Sequence, residues 1–215
     1  MKRILVTLAL FGAGLVAVRA DDVALVTFQI GKDKKHPRQV AIEFYEGDAP
    51  TTVENFKKLS RKRFYNGLAV HRAFPNTLVQ MGDPLTDSKD RSRVGTGGPG
   101  YTLQPEIRRK HVKGAVAAAR LPDKINPSRL SNGSQFFICL TPMPSYDGQY
   151  SVFGHVIWGF EALDEISNLP VDSNDYPVQR VEIRSVKIVP REKLPPPPAP
   201  VAPGPEPKKK WWQFF

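Results

Sequence analysis

Short apolar runs bounded by turn-forming residues constrain the fold of this chain more than any other feature. Gly, Pro, Asn and Asp separate the runs, and the 215 residues include 16 glycines and 21 prolines. Runs of this length with such boundaries are typical of strands. Several short strands with only two helical segments predict a mainly β fold, a closed β-barrel rather than a βαβ sheet. The predicted strands cover residues 23–30, 39–44, 115–119, 135–140, 152–158 and 181–189.

Two segments are predicted to be helices, residues 50–59 and residues 160–166. Pro50 suits the first position of a helix, and Thr51 with Glu54 forms a capping-box pattern. Apolar residues at helical spacing would then form one buried stripe. The residues of that stripe are Val53, Phe56 and Leu59.

Charge is concentrated at the two ends of the chain. The formal net charge is +10, and the first 20 residues carry three basic side chains. Residues 190–215 carry five basic and two acidic side chains, a net +3. The central part is only mildly basic and has no basic stripe with interleaved aromatics, so we expect no nucleic-acid partner. The single cysteine, Cys139, lies in an apolar run and is interpreted as a buried structural thiol.

The first 20 residues have the pattern of a secretory signal peptide. Lys2 and Arg3 precede an apolar stretch, residues 4–18, and small residues stand at the positions that a signal peptidase reads. This pattern predicts export to a periplasm or cell envelope, or secretion. An uncleaved membrane anchor is the alternative, although the stretch is short for a spanning helix.

Residues 22–189 form the predicted globular domain, and residues 190–215 form a separate tail. Eight of the 21 prolines lie at or beyond position 195. Such a segment cannot build a core, so we expect it to be extended or disordered. The tail ends in KKKWWQFF, for which two interpretations stay open. It is either a solvated terminus or a tip that docks on a membrane surface or another protein.

Two apolar stretches carry conspicuous polar side chains. The stretch VHRAFPNTLVQMGDP places a guanidinium, Arg72, and a primary amide, Gln80, on two short runs joined by a Pro-Asn turn. The later run SQFFICL places Gln135 and Phe137 on one face of a strand. No carboxylate, thiol or hydroxyl nucleophile is among these four side chains. The pattern predicts a site that binds and polarises an amide rather than cleaving it.

Four motifs follow one another along the chain: VHRAFPNTLVQMGDP, GTGGPG, SNGSQFFICL and YDGQYSVFGHV. Together they resemble the motifs of the cyclophilin-type peptidyl-prolyl cis–trans isomerases, over about residues 22–189. The resemblance implies a closed eight-stranded antiparallel β-barrel capped by two α-helices. It also implies a peptide groove on the outer surface and catalysis without a metal or other cofactor.

The same resemblance implies a role for each site residue. Arg72 would donate to the prolyl nitrogen, with Gln80 and Phe137 as the other catalytic residues. Phe137 would form the floor of a proline pocket and Leu78 one wall. Gln80 and Gln135 would hold Arg72 and the substrate backbone. The implied substrate-binding residues are Leu78, Thr77, Ala119, Arg120, Gln135, Tyr146 and Tyr150.

Several positions depart from the family pattern. Thr77 stands where the family often has Phe, and Arg120 stands at the place of a groove-edge Asn. Ser145 and Tyr146 occupy the place of a Trp-Leu pair, and Tyr150 replaces a His. We therefore expect weaker catalysis and weak binding of cyclosporin, with the two tyrosines supplying an aromatic wall.

These observations predict an exported, monomeric isomerase that acts on X-Pro bonds in unfolded or loop segments of client proteins. Two alternatives stay open. A peptide-binding or chaperone module without useful turnover is favoured by Thr77 and Ser145. In the other alternative, the barrel is a scaffold that presents the tip of the tail. The four histidines show no metal-ligand spacing, and Asn132-Gly133-Ser134 favours a tight turn over a glycosylation site.

Overall fold

The computed structural model describes residues 21–88 and 90–196, and eight strands, two α-helices and three short 3₁₀ helices make up its regular structure. The predicted signal peptide and the tail beyond residue 196 lie outside the described residues. The strands are β1 (Asp22–Ile30), β2 (Arg38–Phe44), β3 (Arg72–Phe74), β4 (Leu78–Met81), β5 (Ala115–Ala118), β6 (Phe136–Cys139), β7 (Val152–Trp158) and β8 (Val181–Pro190). The helices are α1 (Pro50–Arg61) and α2 (Phe160–Ser167).

All eight strands belong to one curled sheet in the order β3-β4-β6-β5-β7-β2-β1-β8, and every neighbouring pair is antiparallel. The predicted mainly β fold with two helices is confirmed. Each of the six strands and two helices predicted from the sequence begins and ends within two residues of the observed bounds. Sheet pairing saturates the backbone groups of these short strands, which is why they are stable despite their length.

The two ends of the sheet are joined by the segment immediately before β3, residues 67–70. The backbone N–H of Val70 donates to the carbonyl of Val181 on β8 at 2.9 Å. In the opposite direction, the N–H of Ile183 donates to the carbonyl of Leu68 at 2.7 Å. These bonds bring β8 beside the strand that carries the site, and they cover the edge that β8 would otherwise expose.

Alternation along β6 divides its side chains between two apolar clusters. Phe136 and Ile138 lie in the main core inside the sheet, with the buried faces of both helices. Phe137 and Cys139 lie in a smaller cluster on the opposite face. The Cys139 thiol is buried, as predicted, and burial raises its pKa to about 12. It is therefore a packing group rather than a nucleophile.

Helix α1 buries the predicted stripe of Val53, Phe56 and Leu59 against the core. The predicted capping box is wrong, because the N-cap is Ala49 and no side chain of the first turn caps the helix. The carboxylate of Glu106, from a distant loop, accepts instead from the first free N–H groups, at 2.9–3.0 Å. A carboxylate suits this end because it meets the positive pole of the helix.

Within the described part of the chain, no helix is long and apolar enough to cross a membrane.

Candidate active site

A cavity of about 700 Å³ opens on the outer face of the sheet, above the smaller apolar cluster. Nine of the ten side chains predicted for the site line it, although they come from five separate parts of the chain. The nine are Arg72, Thr77, Leu78, Gln80, Ala119, Arg120, Phe137, Tyr146 and Tyr150. The tenth, Gln135, lies behind the cavity wall and is only 3% exposed.

Aromatic rings form the floor and one wall of the cavity. Phe137 is 3% exposed and forms the floor. The rings of Tyr146 and Tyr150 meet it edge to face, with centroids 5.7 and 5.3 Å away and interplanar angles of 89° and 87°. Leu78 belongs to the same cluster. These groups form an apolar recess, and their edge-to-face contacts are an arrangement that aromatic pairs prefer.

His111, which the sequence did not single out, supports the floor from behind. Its ring stacks on Phe137 with centroids 6.0 Å apart and 11° between the planes. Its Nδ1 lies 3.1 Å from a carboxylate oxygen of Asp147. Burial lowers the pKa of His111, with Asp147 opposing this shift. The neutral ring therefore acts as a packing surface that fixes the orientation of Phe137.

The guanidinium of Arg72 stands at the rim of the cavity, and its side chain is 46% exposed. Arg72 faces Gln80 in the β3–β4 ladder, so both side chains project to the same side. Its Nη2 lies 3.8 Å from a carboxylate oxygen of Asp175, and the guanidinium carbon lies 5.0 Å from the ring centroid of Phe74. A carboxylate and an aromatic face thus hold the cation at the rim.

Gln80 and Gln135 are hydrogen-bonded to each other. Nε2 of Gln80 donates to Oε1 of Gln135 at 3.0 Å. Nε2 of Gln135 in turn donates to the carbonyl oxygens of Gly95 and Gly97, at 3.0 and 2.8 Å. With its hydrogen-bonding capacity used in this way, Gln135 supports the back of the cavity.

Asp83 also holds the Gly-rich loop, residues 95–100. One carboxylate oxygen of Asp83 accepts from the N–H of Gly95 at 2.5 Å and of Gly97 at 3.2 Å. A Cβ at Gly97 would lie 2.1 Å from the other oxygen, so only glycine fits there. The N–H groups of Gly95 and Gly97 are therefore used within the protein.

Arg120 closes the far end of the cavity. Its side chain is 6% exposed, pairs with Asp123 at 2.5 Å and donates from Nε to the carbonyl of Gln149 at 2.8 Å. Its guanidinium also lies over the Tyr150 ring, 4.8 Å from the centroid. Among the described residues, the N–H and C=O of Arg120 have no backbone partner. The side chain is thus anchored within the protein, and the backbone N–H and C=O of this cavity-lining residue are left without a backbone partner.

No group of three or more His, Cys, Asp or Glu side chains in residues 21–88 and 90–196 could hold a metal ion. Burial raises the pKa of Tyr150, so its hydroxyl stays neutral. The cavity combines an apolar floor, one exposed cation and free backbone groups. Such a site can bind a peptide and redistribute charge within an amide.

The family model described as cyclophilin type peptidyl-prolyl cis-trans isomerase matches residues 25–188. The chain belongs to the cyclophilin family. The Arabidopsis thaliana peptidyl-prolyl cis-trans isomerase CYP18-2 is 33% identical over 153 residues, which cover 69% of this chain and 86% of the relative. The Gallus gallus peptidyl-prolyl cis-trans isomerase-like 3 is 39% identical over 153 residues, 69% of this chain and 89% of the relative.

A solved structure supports the same assignment. The Cryptosporidium parvum cyclophilin type peptidyl-prolyl cis-trans isomerase, crystallised in the presence of the dipeptide Ala-Pro, has a TM-score of 0.65 and 26% identity to this chain. The match covers 78% of this chain and 98% of that one. As a cyclophilin, the chain is a peptidyl-prolyl cis–trans isomerase.

Proposed function

We propose that this cyclophilin seats the proline ring of an X-Pro segment on Phe137 and polarises the prolyl nitrogen with Arg72. One observation carries the proposal: an exposed guanidinium and a buried aromatic floor line the same cavity. Leu78, Tyr146 and Tyr150 complete the apolar recess. Burying a proline ring there removes apolar surface from water and orients the bond that must rotate.

The chemistry needs no nucleophile. Rotation about an X-Pro bond is opposed by amide resonance, with a barrier of about 18–20 kcal/mol, and takes roughly tens to hundreds of seconds. A donor placed at the prolyl nitrogen stabilises the twisted state, in which the nitrogen lone pair leaves resonance. Shortening this time to milliseconds requires a rate enhancement of about 10⁵-fold, which corresponds to lowering the activation free energy by roughly 7 kcal/mol. Arg72 suits this role because a guanidinium stays protonated and presents several donors.

Backbone groups at the far end of the cavity orient the peptide. The N–H and C=O of Arg120 are free among the described residues, while the Arg120 side chain is anchored through Asp123 and Gln149. A peptide strand can therefore pair with this residue without displacing a protein hydrogen bond. Pairing of this kind depends on backbone groups alone, so we propose that the replacement of the family's Asn by Arg is tolerated.

The substrates we propose are proline-containing unfolded or loop segments of other proteins. The dipeptide Ala-Pro used with the Cryptosporidium relative supports this class. Exchange NMR on an Ala-Pro peptide tests the proposal directly. Substoichiometric protein should raise the cis–trans exchange rate in a saturable way. Saturable binding without faster exchange would identify a peptide-binding module instead and would contradict the isomerase mechanism.

We also propose that the protein is exported, because the first 20 residues carry a signal-peptide pattern, and that it is monomeric. Mass spectrometry of the protein from envelope fractions should find a mature N-terminus near Asp21. An intact Met1 terminus would support an anchor instead. Light scattering of the purified protein should give the molar mass of one chain.

Docking through the KKKWWQFF tip remains a proposal, supported by its lysines and aromatics. Deleting residues 208–215 should reduce retention in the envelope fraction. Unchanged retention would rule the docking role out.

A further inference from the structure

A second cavity, of about 390 Å³, lies directly beside the active-site cavity. The two share Arg72 and Gly95, so the guanidinium of Arg72 stands between them. The second cavity is enclosed by the loop at residues 91–96 and the loop at residues 172–176. Neither loop contributed a residue to the predicted site. A peptide bound at Arg72 would have its neighbouring side chains within reach of this space, because consecutive Cα atoms are only about 3.8 Å apart.

The inner wall of this cavity carries an unpaired donor. His71 is 2% exposed and Tyr176 is 3% exposed, and both line the cavity. The Tyr176 hydroxyl has no hydrogen-bond partner among the described residues, whereas the His71 ring lies near the Gln135 side chain and the backbone of Ala69. Buried polar groups are nearly always paired, so an unpaired hydroxyl on the wall of this cavity indicates a place for a ligand. Burial lowers the pKa of His71 to about 4, and its neutral ring keeps one N–H donor.

The charge of the cavity is positive. Two guanidinium groups line it, those of Arg72 and Arg91, and the second lies 4.3 Å from the ring centroid of Tyr176. Asp172 is the only acidic side chain among the described lining residues. Its Oδ1 accepts from the N–H groups of Asn174 and Tyr176, at 2.8 and 3.2 Å, so it is engaged within its own loop.

Arg72 is also partly neutralised, because Asp175 lies 3.8 Å away. Arg91, by contrast, forms no ion pair with any described residue and is held by the Tyr176 ring alone. Arg91 is therefore the cation left to bind a ligand.

We propose that this cavity is a subsite for a carboxylate side chain, Asp or Glu, lying within two residues of the isomerising proline. A carboxylate only accepts hydrogen bonds, and the wall offers the O–H donor of Tyr176 together with the charge of Arg91. The proposal rests on the proposed function, since it assumes that the proline is bound at Arg72. It makes the enzyme selective for acidic proline-containing segments.

The test measures isomerisation by the full chain on peptides with a single proline that carry Glu or Gln at one of four positions, the two before the proline and the two after it. At one position at least, Glu should lower KM about three- to five-fold relative to Gln, as expected for a partly exposed ion pair. The difference should shrink as salt is raised, because exposed charges are screened. Equal KM values for Glu and Gln at all four positions would overturn the proposal.

A matched pair of variants separates the subsite from general charge. Arg91→Gln should abolish the difference between Glu and Gln peptides. Arg93→Gln removes the same charge from the same loop, but Arg93 does not line the cavity, so the difference should persist. Equal losses in both variants would mean that only the overall field matters and would overturn the subsite.

Tyr176→Phe provides a second measurement that leaves the loop at residues 91–96 unchanged. Removing an unpaired buried hydroxyl should leave stability unchanged or raise it, while reducing the preference for Glu. An unchanged preference would exclude Tyr176 from the subsite and count against the proposal. Failure of the subsite can be distinguished from failure of the proposed function. Turnover of the Gln peptides without a preference for Glu overturns the subsite alone. No turnover of any peptide overturns the proposed function as well.

Discussion

The amide of Gln80 donates a 3.0 Å hydrogen bond to the amide of Gln135, and this bond joins the strand behind Arg72 to the strand that carries Phe137. Gln135 in turn donates hydrogen bonds to the carbonyls of Gly95 and Gly97 in the Gly-rich loop. Hydrogen-bonded side chains thus help to hold the cation and the aromatic floor at a fixed separation. Such preorganisation is what an electrostatic mechanism requires, because the donor must be in place before the bond twists.

Gln135→Glu should destabilise the protein. A carboxylate at this buried position would face the carbonyl oxygens of Gly95 and Gly97 where an NH₂ group now donates. We expect the free energy of unfolding to fall by about 2–3 kcal/mol, measured by denaturant titration. The control is Gln149→Glu, whose side-chain oxygen faces the Arg120 guanidinium and should change stability by less than about 0.5 kcal/mol. Equal effects of the two substitutions would contradict the role given to Gln135.

Asp175→Asn tests the carboxylate that holds Arg72. The pair is half-exposed, so we expect the free energy of unfolding to change by less than about 0.5 kcal/mol. Asn also tolerates the positive φ of +61° at this position. A looser guanidinium should lower kcat/KM about two- to five-fold, an effect of the size expected for an exposed ion pair. An unchanged kcat/KM on a neutral Ala-Pro peptide would show that Asp175 does not position Arg72.

Thr77→Phe should improve binding of the proline. Thr77 lines the cavity, and its hydroxyl donates only to the carbonyl of Pro75, at 3.0 Å. An added ring would cover part of the bound proline and gain about 1 kcal/mol of apolar burial, so KM should fall about five-fold. Thr77→Ser is the control and should leave KM close to wild type. A KM that stays the same or rises in Thr77→Phe would mean that this position does not border the proline.

Local patterns predicted most of the fold and of the cavity, because side-chain alternation is a property of the strand itself. Phe136 enters the core and Phe137 the site for this reason. The stripe on α1 follows from helical spacing in the same way. Nine of the ten predicted site residues line one cavity, since the family motifs mark where the strands meet.

Contacts between distant loops could not be predicted from local patterns. The cap of α1 comes from Glu106 rather than from its own first turn. The partner of Arg72 is Asp175, which lies on a loop with no motif of its own. His111 was only one of four scattered histidines until the fold stacked it on Phe137. Each of these contacts depends on how distant loops pack, and the periodicity of a sequence gives no information about that packing.

Stability should decrease at acidic pH because of His71. Burial lowers its pKa in the folded protein to about 4, below the ordinary histidine value of about 6.5. Above about pH 6.5 the ring is neutral in both states, and below it the unfolded chain binds a proton that the folded protein does not. The free energy of unfolding should therefore fall by up to about 3 kcal/mol between pH 6.5 and pH 4.

Unfolding titrations at a series of pH values check this slope. His71→Gln should show a shallower decrease, whereas His36→Gln, at an exposed ring, should keep the wild-type slope. His111 and His155 shift in the same direction because of burial, so part of the decrease should remain in His71→Gln. An identical slope in that variant and in the wild type would contradict the assignment to His71.

The most direct test of the proposed mechanism is the rate of cis–trans exchange in an Ala-Pro peptide with the wild type and with Arg72→Ala. Arg184→Ala, at an exposed arginine of β8 paired with Glu182, is the control. If Arg72 polarises the prolyl nitrogen, kcat/KM should fall about a hundred-fold in Arg72→Ala, as for loss of one transition-state donor, and stay near wild type in Arg184→Ala. A folded Arg72→Ala protein that keeps the wild-type rate would contradict the mechanism.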